Sequence, residues 1–429
     1  MKKLPFLFAL LFAPALAGAQ ADVYIGVTGT QVMADKIPVG FPAFVPDREG
    51  RTQDMEMGVK MQDIIRADLL FSRYFSAVEG GPAVDPKKPK SSLQEWKMRG
   101  ARYVLYGKTA QVGNLWTLSA SVFDTESGDK IIEKYYKGEL PAARRAAHLY
   151  SDEVTIRITG KLGIAHTRLA FANDSTGKKE IYVVDYDGLG LQRLTDDRSI
   201  ALLPRWSHDG SKVYYTTYRY KNPDLFEIDL KGRKIKPAST TQGLNIAGGI
   251  SPDGQHIVMT MSRGGTPHIY MMDLVTKQLT QLTSGQSVDS SPTFSPDGKY
   301  VSYTSDRSGT PQLYIMELET GQTRRVTRLN WCDSPKWSPS GEWIVFAGRQ
   351  SPREEMDIWL IDITGNQLRQ LTKNAGKNEN PSWSPDGRFI AFTSTRNNKR
   401  EIYVMDADGS APHTITSLPG KCFTPNWSP

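Results

Sequence analysis

The sequence predicts an N-terminal α/β domain followed by an all-β, six-bladed β-propeller. The first observation is a turn motif, Ser-Pro-Asp-Gly or a near copy, that returns in steps of 44, 44, 43, 46 and 44 residues. Its serines are Ser207, Ser251, Ser295, Ser338, Ser384 and Ser428. The second observation is a strand pattern between motifs, with an aromatic residue at Tyr182, Phe226, Tyr270, Tyr314, Trp359 and Tyr403. Four short strands joined by tight turns in each period are typical of a propeller blade.

Each turn motif starts a blade for a conformational reason. Proline holds φ near the value needed at the first corner, aspartate caps the turn, and glycine takes the left-handed position that follows. The strands predicted directly after the motifs cover residues 212–217, 255–261, 300–305, 343–348 and 388–394. One blade cannot bury its faces alone, so we expect the apolar positions to repeat in phase because neighbouring blades stack.

The two ends of the repeat region predict how the ring closes. The unit that begins near Arg168 has no turn motif ahead of it, and the final Trp427-Ser428-Pro429 has no strands behind it. We therefore expect the terminal strand, residues 423–428, to supply the innermost strand of the first blade. This pairing gives six blades over residues 163–429, whereas an open β-solenoid would leave both ends unpaired.

Residues 1–21 have the pattern of a secretory signal peptide. Lys2 and Lys3 precede an apolar run over residues 4–16, and small residues follow over 17–21. The apolar run is too short to span a bilayer, and cleavage after Ala19 or after Ala21 fits equally well. The sequence therefore predicts an exported protein that does not span a membrane.

Residues 22–162 do not repeat, and they alternate between helix and strand patterns, which predicts an α/β domain. The predicted elements, in chain order, are a strand over 22–28, an extended piece over 38–45, an amphipathic helix over 55–75, a short helix over 92–100 capped by Ser91 or Ser92, strands over 103–107, 115–123 and 130–136, and a helix from Pro141 to about Leu162. A short linker then leads into the first blade.

Charge and composition do not favour nucleic acid as a class of partner. The formal charge is +7 with 23% charged residues, and the one basic run is Lys87-Lys88-Pro89-Lys90. Such a run is typical of a solvated loop. We expect no nucleic-acid binding from an exported chain with this mild excess of charge.

No residue pattern predicts catalysis. The Gly-x-Ser-x-Gly motif of propeller-containing peptidases does not occur, and none of the six histidines has a His or Cys partner at zinc-ligand spacing. His208 occupies the proline position of its turn, and the repeated aspartates such as Asp253 are turn caps. We expect no enzymatic activity, cofactor or metal; a channel metal held by Asp289 and backbone carbonyls is the minor alternative.

The two cysteines, Cys332 and Cys422, each lie six residues before a motif serine. They therefore hold equivalent positions in blades two apart. A disulfide needs Cα atoms within about 7 Å of each other, which this placement does not allow. The sequence predicts two free thiols.

The same offset marks a candidate interaction surface. Six residues before each serine, the chain crosses from the outer strand of one blade to the inner strand of the next, and these crossings gather around the mouth of the central channel. Most repeat positions are nearly identical between blades, whereas these differ, so we expect an exposed ring with apolar anchors in a polar rim. Ordinary loop variability is the alternative. The ring residues are Leu202, Leu203, Asn245, Ile246, Asp289, Ser290, Trp331, Asp333, Asn378, Glu379 and Thr424.

Taken in order, these features resemble the TolB family, the periplasmic propeller proteins of the Tol–Pal system. The resemblance covers the signal peptide, an α/β domain of about 140 residues, six Ser-Pro-Asp-Gly blades and the truncated terminal Trp427-Ser428-Pro429. It implies a monomeric scaffold without enzymatic activity. Members of this family bind Pal, the peptidoglycan-associated lipoprotein of the outer membrane, at the channel mouth, and some bacteriocins exploit the same surface.

The resemblance also implies a second partner and a cellular role. Family members signal to the inner-membrane protein TolA through the first residues of the mature chain, and the system maintains outer-membrane integrity and draws that membrane inward at division. By position, the ring residues would meet a Pal-like lipoprotein. A TolA-like protein would bind the strand Asp22, Val23, Tyr24 and Ile25.

Two alternatives stay open at this point. The alternating strand at residues 22–25 can add to a partner as an edge strand, or it can pair permanently within the α/β domain, and both states can alternate. The protein can also be a secreted propeller that binds a small ligand, peptide or glycan in its channel.

Overall fold

The structure is a computed structural model that describes residues 36–85, 88–263 and 265–429. The expected signal peptide and the strand that contains Asp22, Val23, Tyr24 and Ile25 lie outside the described residues. Within the described ranges, none of the helices combines the length and the apolar character that crossing a membrane requires.

The N-terminal domain is a mixed six-stranded sheet with helices on both faces. Its strand order is β3-β1-β4-β5-β6, parallel from β3 to β4 and antiparallel from β4 to β6, and β2 pairs with β4. The elements are β1 (Ile37–Gly40), β2 (Val45–Pro46), α1 (Thr52–Phe71), β3 (Phe75–Val78), α2 (Lys90–Met98), β4 (Tyr103–Val112), β5 (Leu115–Asp124), β6 (Lys130–Glu139), a 3₁₀ turn (Leu140–Ala142) and α3 (Ala143–Thr159).

Two apolar layers hold this domain together. On one face, α1 and α3 bury Ile65 and Val154 against Leu105 and the rest of the sheet core. On the other face, α2 buries Trp96, whose ring lies so close to Gly40 that a Cβ there would approach it to 2.5 Å. The glycine is therefore required at this position because the tryptophan covers the backbone directly.

The structure corrects three predicted boundaries in this domain. Helix α1 ends at Phe71, four residues before the predicted end, because Arg73 takes a left-handed φ of 66° and the chain turns into β3, which was not predicted. Helix α2 begins at Lys90 behind Pro89 with no side-chain cap, so the prediction of a serine cap is wrong. Helix α3 ends at Thr159 because Gly160 adopts the left-handed conformation that terminates helices.

The propeller has six four-stranded antiparallel blades, as predicted. From the innermost strand outward, the blades are β30 (Cys422–Trp427), β7 (Arg168–Asn173), β8 (Glu180–Asp185), β9 (Gln192–Arg193); β10 (Ala201–Trp206), β11 (Lys212–Thr217), β12 (Asp224–Asp229), β13 (Ile235–Ser239); β14 (Asn245–Ile250), β15 (His256–Met261), β16 (His268–Asp273), β17 (Leu279–Gln281); β18 (Asp289–Phe294), β19 (Tyr300–Ser305), β20 (Gln312–Glu317), β21 (Thr323–Arg325); β22 (Trp331–Trp337), β23 (Trp343–Arg349), β24 (Asp357–Asp362), β25 (Leu368–Gln370); and β26 (Asn378–Trp383), β27 (Phe389–Ser394), β28 (Glu401–Asp406), β29 (His413–Thr414).

The C-terminal strand closes the ring, which confirms the prediction from the two half-units. Strand β30 pairs antiparallel with β7, and Trp427 lies opposite Leu169. The backbone N–H of Arg168 donates to the hydroxyl of Ser428 at 3.0 Å, so the last motif serine is held by the first propeller strand.

The turn motifs act as predicted. In Ser251-Pro252-Asp253-Gly254, the Ser251 hydroxyl donates to the Asp253 carboxylate at 2.5 Å, and the N–H of Gln255 donates to the same carboxylate at 2.9 Å.

Both cysteines, Cys332 and Cys422, are free and buried, which confirms the prediction of two free thiols. Burial raises the pKa of the Cys332 thiol to about 12, so this thiol is protonated at neutral pH.

Candidate partner-binding site

The side chain six residues before each motif serine is buried, and this corrects part of the predicted ring. Asn245, Asp289 and Asn378 have no exposed surface. The backbone N–H of Asn245 donates across the crossing to the Pro223 carbonyl at 2.9 Å, and the other crossings make the equivalent bond. The expectation that these three side chains are exposed is therefore wrong, because each fills the gap between two blades.

Internal hydrogen bonds satisfy these three buried side chains. The Asn245 amide donates to the Thr241 carbonyl at 2.5 Å, and the Asn378 amide donates to the Asp357 carboxylate at 3.0 Å. The Asp289 carboxylate pairs with Arg307 at 3.1 Å. Since Asp289 is buried and already neutralised, it does not offer the channel a metal ligand.

The remaining predicted residues form a surface that we call the crossing rim. It consists of side chains that are partly or largely accessible around one end of the channel: Leu202, Leu203, Ile246, Ser290, Trp331, Asp333, Glu379 and Thr424. The rim contains aliphatic and aromatic groups together with carboxylates and hydroxyls. This mixture is common in protein interfaces.

A backbone bulge in the inner strands aims part of the rim at the channel. Leu203 and Thr424 have left-handed φ values of 55° and 51°, and Ser291, Ser334 and Asn380 at the equivalent positions have values of 53–55°. The strand pairing shifts register at each of these places. A bulge of this kind re-aims side chains, and left-handed backbone at a non-glycine residue is a local strain that neighbouring bonds must hold. One such bond runs from the Leu203 N–H to the Thr424 hydroxyl at 3.3 Å.

The structure brings five of the predicted rim residues into one cavity of about 210 Å³. They are Leu203, Ile246, Ser290, Asp333 and Thr424. The Asp333 carboxylate is fixed by the Ser291 hydroxyl at 2.9 Å, which joins adjacent blades. This cavity is the opening of the channel at the crossing end.

A second cavity of about 370 Å³ lies beside the first and contains Trp331, Asp333 and Glu379. Trp331 is 39% exposed, an unusual exposure for so large an apolar side chain. The Arg349 guanidinium lies over its ring at 5.6 Å, and Glu379 is held by Arg400 at 3.0 Å. Leu202 lies apart from both cavities and packs against the core between the first and second blades.

Sequence analysis missed two cations deeper in the channel. Arg205 and Lys336 line both the crossing-end cavity and a cavity of about 290 Å³ at the opposite end, where the turn motifs gather. Burial lowers the pKa of Arg205 to about 10. Burial and the charge of Arg205 lower the pKa of Lys336 well below its usual range. The offset of two residues before the motif serine would have identified both, because the other blades have neutral residues there.

Lys336→Met is expected to stabilise the protein and to reduce its pH dependence. Since the pKa of Lys336 is lowered in the folded state, the unfolded chain binds more protons between that lowered value and the ordinary pKa of about 10.4, and stability rises with pH in this window. Calorimetric melting across neutral and alkaline pH measures the effect. The variant should melt a few degrees higher at neutral pH and show a flatter pH profile, whereas the matched exposed variant Lys231→Met should behave as the parent. A parent-like profile for Lys336→Met would contradict the assignment.

Among the described residues, one cluster has ligand atoms close enough for a metal ion: His148, Asp185 and Asp187. Arg144 already pairs with both carboxylates, with its Nε 2.9 Å from Asp185. The Arg144 guanidinium thus bridges the two carboxylates and offsets part of their charge. The cluster joins α3 to the first blade and has a structural role.

Comparisons with known proteins match both domains. A family model described as the TolB beta propeller domain matches residues 156–429. A second model, described as the TolB amino-terminal domain, matches residues 24–131.

Curated relatives and a solved structure agree with these models. A Tol-Pal system protein TolB from Desulfosudis oleivorans is 33% identical over 252 residues, which is 57% of this chain and 56% of the relative. One from Roseobacter denitrificans is 30% identical over 244 residues, 55% of this chain and 54% of the relative. The chain thus spans a little over half the length of these curated relatives. The crystal structure of TolB from Acinetobacter baumannii has a TM-score of 0.76 and 24% identity over 92% of this chain and 97% of that one, which shows the shared fold.

Proposed function

The chain belongs to the TolB family of Tol–Pal system proteins, and on this premise we propose that it is a periplasmic scaffold between the two membranes. It binds a Pal-type lipoprotein of the outer membrane and a TolA-type protein of the inner membrane. Through these contacts it supports outer-membrane integrity and the inward movement of that membrane at division. Its role is binding, and no chemical step is part of it.

The crossing rim supports docking of the lipoprotein at the channel mouth. Leu203 and Ile246 offer apolar surface inside the cavity, while Ser290 and Asp333 offer polar groups. Trp331 stands exposed next to it, and exposed tryptophans in such settings often dominate binding energy. The observation that best supports this proposal is that predicted side chains from different blades meet at one opening of the channel.

The strand Asp22-Val23-Tyr24-Ile25 is our proposed contact for the inner-membrane partner. It lies outside the described residues, and its alternating apolar pattern supports the proposal. Such a strand can add to the sheet of a partner through backbone hydrogen bonds. The proposal requires the strand to be accessible when the partner binds.

A comparison of two forms of the protein in envelope extract tests both contacts. The form that begins at Asp22 should recover a Pal-type lipoprotein and a TolA-type protein. A form that lacks residues 22–33 should keep the lipoprotein and lose the TolA-type protein. Recovery of neither partner by the longer form, together with a sugar or peptide retained in the channel, would replace the scaffold by a ligand-binding function.

A further inference from the structure

A layer of six side chains forms the narrow middle of the channel, which we call the channel waist. Its members occupy the same position in the six blades, two residues before each motif serine: Arg205, Gly249, Thr293, Lys336, Ser382 and Asn426. The two channel cavities, of about 290 and 210 Å³, both contain Arg205 and Lys336. Blades three apart in a six-membered ring face each other across the axis, so these two cations extend from opposite walls.

Neither cation forms an ion pair with a carboxylate among the described residues, although Asp333 lines the same cavity and acts on Lys336 through its charge. The Arg205 guanidinium donates to the neighbouring Pro204 carbonyl at 2.8 Å, and its buried Nε has no hydrogen-bond partner among the described residues. Lys336 forms no ion pair within the described part of the chain, and burial is the largest cause of its lowered pKa. Both residues are partly accessible from the channel. Cations with little water around them and no ion-pair partner are costly, so an anion bound in the waist would lower the free energy of this arrangement.

The other titratable side chains of the described channel walls are Asp333 and His208. Asp333 is the one carboxylate on the crossing side of the waist, and it is engaged by the hydroxyls of Ser291 at 2.9 Å and Thr304 at 3.3 Å. His208 stands at the opposite opening and is exposed. Arg205 keeps its charge at neutral pH because burial lowers its pKa only to about 10, and the amine of Lys336 on the facing wall can take up a proton beside a bound anion.

Three of the other waist positions supply hydrogen-bonding groups. The Asn426 amide lies 3.4 Å from the Ser382 hydroxyl, and Thr293 adds a second hydroxyl. Gly249 is closely packed against the next blade, since a Cβ there would lie 3.0 Å from the Thr293 Cα. Two facing cations with hydroxyl and amide groups between them match the oxygen atoms of a phosphate or a carboxylate.

We propose that the channel waist binds an oxyanion, a phosphate-type ion or a carboxylate, between Arg205 and Lys336. The site goes beyond the scaffold function and does not depend on it. The oxyanion can come from free solution or from an acidic side chain of a protein docked on the crossing rim. In either case, binding restores the proton of Lys336 because the new negative charge opposes the effect of burial.

Titration with inorganic phosphate tests the site. Isothermal titration calorimetry on the protein that begins at Asp22 should show saturable binding of phosphate. The dissociation constant should be about 1 mM or tighter. Arg205→Met and Lys336→Met should each weaken binding at least about tenfold, because each removes a charge-assisted hydrogen bond. The exposed variant Lys231→Met removes the same charge outside the channel and should bind phosphate as the parent does.

Proton uptake provides a second, independent readout. Phosphate binding to the parent should take up protons through Lys336, which calorimetry in buffers of different ionisation enthalpy measures, and the Lys336→Met variant should lose this uptake. Absence of saturable binding to the parent, or equal binding by the two channel variants and the parent, would overturn the proposal. Melting curves of each variant confirm that folding is retained.

Competition with a Pal-type lipoprotein identifies the source of the oxyanion. If the lipoprotein displaces phosphate, the site takes an acidic side chain of the docked partner; if both bind together, it takes the free ion. Both outcomes support the waist as an oxyanion site. Phosphate binding that succeeds while the lipoprotein fails to bind would contradict only the scaffold function, so the two failures are distinguishable.

Discussion

Trp427→Ala is expected to lower the free energy of unfolding by about 3–5 kcal/mol, the largest effect of any single substitution considered. Trp427 is 5% exposed and packs in the core between the sixth and first blades. Its indole N–H donates to the Thr167 hydroxyl at 2.8 Å, and its backbone N–H donates to the Ser382 hydroxyl at 2.9 Å. The substitution therefore removes apolar contacts and a hydrogen bond at the strand that closes the ring.

Urea unfolding of the two tryptophan variants measures this effect against a matched control. Trp331→Ala changes the same residue type on the exposed rim, and it should cost less than about 1 kcal/mol because surface positions contribute little. Equal losses for Trp427→Ala and Trp331→Ala would show that ring closure does not depend on the terminal strand.

Asp68→Ala is expected to cost about 2–5 kcal/mol and to weaken the coupling between the domains. The buried Asp68 of α1 accepts a hydrogen bond from the Tyr186 hydroxyl of the first blade at 2.6 Å, and its other oxygen lies 2.8 Å from Nδ1 of His148 in α3. Removal of the carboxylate leaves the buried Tyr186 hydroxyl and the buried His148 ring without this hydrogen-bond partner. Phe71, which stacks on Phe389 at 4.7 Å, keeps the surfaces in contact, so the domains should remain adjacent but less firmly joined.

A double-mutant cycle with Tyr186→Phe isolates the bond that crosses between the domains. Asp68→Ala and Tyr186→Phe should be less than additive, with a coupling energy of at least about 0.5 kcal/mol. Asp63→Ala, on the exposed side of the same helix, should be nearly neutral. Additive losses would mean that the Asp68 carboxylate acts within the N-terminal domain alone.

The propeller could be predicted almost completely because its repeat is both regular and incomplete at its ends. The missing turn motif before Arg168 and the missing strands after Trp427 imply pairing of the two ends, as observed. The N-terminal domain was less predictable at its boundaries. Strand β3 escaped notice because its apolar residues continue the helical pattern of α1, and the left-handed Arg73 between them has no signature in sequence.

The position of the crossings around the channel was predicted, whereas the burial of three residues there was not. The six-residue offset located the crossings, but the residue at this offset faces the gap between blades, which buries Asn245, Asp289 and Asn378. The bulges that turn Leu203 and Thr424 toward the channel occur at non-glycine residues, so no local pattern indicates them. The offset of two residues before the motif serine distinguishes Arg205 and Lys336 from the neutral residues of the other blades, but their placement on opposite walls of the channel follows only from the closed ring.

The affinity of a Pal-type lipoprotein for two single variants at opposite ends of the channel tests the docking assignment most directly. Trp331→Ala changes the crossing rim and should weaken binding at least about tenfold, as expected for an exposed aromatic anchor. His208→Ala changes the exposed motif end and should leave the affinity within about twofold of the parent. Weaker binding by His208→Ala with parent-like binding by Trp331→Ala would place the partner at the opposite opening and contradict the account.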